Sequence, residues 1–150
     1  MSHLRQQILE GVAAQLAGLA TTGANVFRSR VYAAQRNQVP CLIVRQAIGT
    51  EQSNADGVGS PPRVLQRVLR IEVIAIVREV DDLDAALNQI CLEVETALGG
   101  SLLSPATTKS LVLVSTDTEL TGSGEQPMGQ ATLTYEVLYL TFQNAPSVAQ

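Results

Sequence analysis

The run RVLQRVLRIEVIAIVR, from Arg63 to Arg78, constrains this chain more than any other feature. Its odd positions Leu65, Leu69, Ile71, Val73, Ala75 and Val77 are apolar, while Gln66, Arg70, Glu72 and Arg78 mark the even ones. A period of two is the signature of a strand with one buried face. At ~3.3 Å per residue the run reaches ~50 Å, longer than one small domain covers. The expectation is a strand that projects in part as a ribbon with a free edge, a hazard in a monomer and an asset in an assembly.

The elements around it follow from their own periods. Ser2 can cap a first helix running to Ala20, with Leu4, Ile8, Leu9, Val12, Leu16 and Leu19 as its apolar stripe. A short extended segment, Asn25 to Tyr32, and a strand, Cys41 to Ile48, come next; in the latter Leu42, Val44 and Ile48 share one face and Arg45 the other. Glu51 to Pro62 is rich in turn formers and predicts an exposed loop. Asp81, Asp82 and Asp84 suit the positive end of a second helix, whose stripe is Leu83, Leu87, Ile90, Cys91, Val94 and Leu98 and which stops at Gly99 and Gly100. Lys109 to Leu120 and Gln130 to Phe142 read as a hairpin with a long tip, Gly122 to Gly129.

The order helix, strands, helix, strands predicts an α+β fold: a mostly antiparallel sheet of four to five strands, with two main helices packed on one face. A chain of 150 residues makes one domain, assigned to 1–143, with a frayed tail from Asn144 to Gln150. The last strand is apolar on both faces, with Val137 and Tyr139 on one side and Leu138, Leu140 and Phe142 on the other. Helices on one face would leave the second set to be covered by loops or the first helix, or open as a subunit interface.

Net charge is −4, against bulk attraction to nucleic acid or anionic membranes, and with no Trp, two Phe and three Tyr there is little to stack bases on. The charge is divided along the chain. From Arg28 to Arg78 eight arginines face three acids, and from Glu79 onward ten acids face Lys109. The division reads either as two surfaces that merely differ or as head-to-tail complementarity between subunits, and contacts of the latter kind close into rings. Cys41 and Cys91 each sit in an apolar pattern and read as small core residues. With no signal-peptide pattern and no apolar run near the ~20 residues that span a bilayer, a soluble protein made in the cytoplasm is expected.

Reaction chemistry has few candidates. His3 is the only histidine, set in the first turn of the first helix, where a solvated role is expected. One His and two separated Cys supply neither a zinc site nor a Cys–His pair. Gly57-Val58-Gly59 and Gly122-Ser123-Gly124 do not continue into a phosphate loop, and Ser110, Ser115 and Ser123 lack a nucleophile-elbow context. Asp81, Asp82 and Asp84 are ordinary at a helix start, and Glu72 and Glu136 lie mid-strand on outer faces. No enzyme, cofactor or metal is expected.

Taken together, VFRSRVY (Val26 to Tyr32), VPCLIV (Val39 to Val44), the Gly/Pro-rich loop, the Arg-studded strand, DDLDAALNQICLEVETAL (Asp81 to Leu98) and the closing strand pair resemble the small tail-terminator proteins of long-tailed phages and prophages. The resemblance spans nearly the whole chain and rests on order and spacing. It implies a hexameric ring in the virion tail that caps the tail tube, stops its polymerisation and presents a surface to head-completion proteins. DNA would pass through the lumen without sequence-specific binding, and no membrane is involved. Charge and patterning, not family motifs, nominate the contacts: Arg28, Arg30, Arg45, Arg67 and Arg70 against Asp82, Asp84, Glu93 and Glu95 of the next subunit, or some arginines facing the DNA channel. The loops Glu51–Pro62 and Gly122–Gly129 are candidates for contact with the tube or the head connector. Another neck or head–tail connector subunit is an alternative, as is a small α+β ligand-binding domain.

Overall fold

The computed structural model describes residues 2–28, 40–55, 61–78, 82–99, 108–121 and 128–149. In chain order these form α1 (Leu4–Leu16), β1 (Val26–Arg28), β2 (Cys41–Gln46), β3 (Gln52–Ala55), β4 (Val64–Arg78), α2 (Leu83–Leu98), β5 (Ser110–Thr121), β6 (Met128–Phe142) and β7 (Ala145–Ala149).

The alternating run becomes β4, and it sits at the centre of the sheet. It pairs antiparallel with β6 without interruption from Val64 opposite Phe142 to Arg78 opposite Met128. Its other edge is taken by β2 along Ile71–Ile76 and by β3 along Leu65–Val68. The expected free ribbon is therefore corrected: β4 is long because two collinear strands cover one edge and a single equally long strand covers the other. Between β2 and β3, residues 47–51 stand against only Leu69 and Arg70, so the chain loops outward there. Ile48 is 96% exposed on that loop and does not join Leu42 and Val44 on the buried face.

The coarse α+β expectation holds and its details change. Among the described residues the sheet has seven strands, in the order β1-β2-β4-β6-β5 with β3 on β4 and β7 on β6, and β1 pairs parallel with β2. β3 lies within the segment expected to be a loop, whose residues 56–60 fall outside the described residues. The segment expected to fray contains β7, held because Ala149 packs on the core and Ser147 O accepts a hydrogen bond from Gln7 Nε2 of α1 at 2.9 Å. α1 is capped by His3, not Ser2, and ends at Leu16, with Gly18 at φ +90° turning the chain where the stripe would have continued.

Both helices lie on one face of the sheet. Leu4, Ile8, Val12 and Leu16 of α1 and Leu87, Ile90, Val94 and Leu98 of α2 pack with Leu42, Val44, Ile71, Val73, Leu133, Tyr135, Val137 and Tyr139 in one cluster. Cys91 belongs to this cluster, whereas Cys41 belongs to a smaller one on the opposite face with Ile43, Ile74 and Ile76. The stretch Val73–Val77 is buried on both sides, which is why its even positions are apolar too. Asp82 caps α2 by accepting from Ala85 N at 3.0 Å; Asp81 lies outside the described residues.

Candidate functional site

Beyond the small cluster, the sheet face away from the helices carries a polar ladder. Arg45 Nε reaches Glu72 Oε1 at 2.9 Å across β2 and β4, and Arg70 Nη2 reaches Glu136 Oε1 at 3.1 Å across β4 and β6. Thr134 and Ser115 continue the Arg45–Glu72 rung toward β5. A shallow open cleft over these rungs is lined by Ala47, Ile48, Arg70, Glu72, Val114, Ser115 and Thr134. Half-buried Leu138, Leu140 and Phe142 extend the same face toward β7, as alternation along β6 requires.

β5 is the edge of this face: among the described residues it pairs only with β6. It changes parity at Val114, which falls at the register shift between Leu113 opposite Tyr135 and Ser115 opposite Thr134. Leu111 and Leu113 therefore face the helices, while Val112 and Val114 are 54% and 45% exposed. Past the shift Leu120 lies opposite Gly129 and is 57% exposed. Asp117 and Glu119 are exposed on the same strand, so the edge is apolar and acidic.

No family model and no curated protein matches this chain. Among solved structures, a chain in "Virion of native gene transfer agent (GTA) particle" is similar, at 16% identity, covering 91% of this chain and 92% of that one, with a TM-score of 0.40. At that score the likeness decides neither fold nor function.

The arginines nominated from charge alone are all engaged within the chain where they are described. Arg28 pairs with Glu10 at 3.4 Å, Arg45 with Glu72, and Arg70 with Glu136. Arg30 lies outside the described residues. Asp84 and Glu95 are exposed on α2. Glu93 accepts hydrogen bonds from the backbone and hydroxyl of Thr21 and from Gln89; burial pushes its carboxyl upward, but these bonds outweigh it and hold the group below the usual range.

Arg67 corrects the expected basic surface. It shares the parity of Leu65 and Leu69, so its side chain enters the helix side of the sheet and is only 13% exposed. There it meets Glu51, 10% exposed, at 3.7 Å. Tyr139, directly opposite on β6, donates its hydroxyl to Glu51 Oε2 at 2.9 Å. Arg5 Nη1 lies 3.9 Å from the same carboxylate. His3 completes the group: Nδ1 accepts from Arg5 N at 3.1 Å and Nε2 lies 3.3 Å from Arg67 Nη1. His3 thus caps α1 at the rim of the core and stays partly exposed. Burial, followed by Arg5 and Arg67, lowers its pKa, and Glu51 opposes them. The interrupted apolar alternation at Arg67 was the available sequence signal; nothing local marked Glu51 or Tyr139 as its partners.

Proposed function

We propose that this chain is a non-catalytic assembly subunit that forms a ring through its β5 edge and the adjoining open sheet face, and that the ring is a phage tail terminator. The observation that carries the assembly half is β5, which among the described residues is an edge strand paired on one side only and presents Val112 and Val114 on the open face. A monomer that keeps such an edge exposes a ready template for pairing, whereas an assembly buries it. The acidic Asp117 and Glu119 favour a heterologous contact with a differently charged surface of the next subunit over pairing of two β5 edges. The terminator half is supported by the order and spacing of sequence segments described above. In this role the ring caps the tail tube, ends its polymerisation, joins the head-completion proteins and lets DNA pass through its lumen.

Light scattering coupled to size-exclusion chromatography tests the first half. A concentration-dependent hexamer is expected, and Val112→Asp or Val114→Asp should shift it toward monomer while leaving the circular dichroism unchanged. Tail-tube assembly in the presence of the protein tests the second half: tubes should stop at a limited length. A chain that stays monomeric at all concentrations and neither binds tubes nor limits their length overturns the proposal.

A further inference from the structure

We infer that His3 is an acid-sensitive latch that caps the first turn of α1 and lets go when its imidazole is protonated. Both ring nitrogens face donors, Nδ1 the Arg5 backbone N–H and Nε2 the Arg67 guanidinium. A neutral imidazole has one acceptor nitrogen, so it satisfies one of these donors; an imidazolium has none and satisfies neither. Protonation thus removes the latch's only acceptor. It also places a cation at the positive end of α1, where the helix dipole opposes it.

Among the described residues the surroundings offer the new charge no spare partner. The charged groups acting on His3 among these residues are Arg5 from α1, Arg67 from β4 and Glu51 from the connection before β3, the last also bonded by Tyr139 of β6. Glu51 is the one acid in this group, and two guanidiniums and a phenol already share it. The tie from β7 is neutral, from Gln7 Nε2 to Ser147 O. Burial and the two arginines disfavour the imidazolium in the folded chain, in agreement with the geometry. The latch's contribution to stability is therefore complete above the ordinary histidine value of 6.5 and is lost as pH falls through the lower folded-state value. Leu4, fully buried, directly follows His3, so release opens the core locally at this end. The latch does not depend on ring formation.

Amide exchange of the whole protein, read residue by residue by NMR together with the His3 ring resonances, tests it. Protection of the Arg5 to Ile8 amides should fall about fivefold or more as pH is lowered through the titration of the His3 ring, the ratio that accompanies loss of a helix N-cap, while α2 and β4 stay constant. His3→Asn keeps an acceptor and does not titrate, so protection should stay flat. Glu51→Gln removes the one group favouring the imidazolium, so the opening should move to lower pH. If the ring titrates with protection unchanged, or the same fall persists in His3→Asn, there is no latch; the wild-type titration alone decides if a variant fails to fold.

Discussion

Arg67 and Arg70 stand three residues apart on one strand with a carboxylate each, yet removing them should have very different consequences. Arg67→Met keeps most of the alkyl stem and deletes the charge, leaving Glu51 at 10% exposure with a weakened set of partners. Breaking a buried pair from one side costs about 3–5 kcal/mol. Two contacts moderate this: Arg5 stays 3.9 Å from the same oxygen, and Tyr139 still donates to the other. A loss of about 2–3 kcal/mol is expected, below the full one-sided cost because these two contacts persist. Arg70 is 62% exposed and Glu136 34%, so Arg70→Met should remove at most about 0.5 kcal/mol, within the usual range for surface pairs. In thermal terms this is a drop of roughly 4–12 °C against less than about 2 °C. Urea unfolding at concentrations that keep the chain monomeric measures both without the added stability of assembly. If the two variants differ by less than about 0.5 kcal/mol, the assignment of Arg67 to the core is wrong. The Arg67→Met, Glu51→Gln double variant should recover part of the loss, because no buried charge is left alone.

Three further outcomes follow from the same structure. Asp82→Ala should cost about 1 kcal/mol in urea unfolding by removing the cap on Ala85 N, and Asp82→Ser should restore most of it. A Cβ at Gly129 would stand 3.0 Å from Leu87 Cδ1 and 3.3 Å from Val77 Cγ2, so Gly129→Val should destabilise by about 1–3 kcal/mol through overpacking under α2. Tyr135 and Tyr139 are pushed up to about 12 from 10, both first by burial, then by the charge of Glu95 in one case and the hydrogen bond to Glu51 in the other. A raised phenol contributes stability that is complete below pH 10 and lost as pH climbs through about 12, so phenolate absorbance and unfolding should rise together in that window.

The sequence by itself determined the elements whose burial repeats locally. The alternation in β4, the stripe Leu87, Ile90, Cys91, Val94 and Leu98 in α2, and the two parities of β6 were all legible, because pleat and helical turn impose their periods residue by residue. What each strand lies beside was not legible. That β4 is central, that β3 and β7 pair at all, and that β5 shifts parity at Val114 depend on partners distant in the chain, and exposed residues such as Gln52–Ala55 carry no local strand signal. The same holds for the charges. Sequence placed Arg67 and Arg70 in one basic segment, and only the tertiary structure separated them. The parity of the pleat turned one inward, and the chain delivered Glu51, Tyr139 and His3 to meet it. A buried guanidinium is tolerable only where such partners converge, and that convergence is a property of the fold.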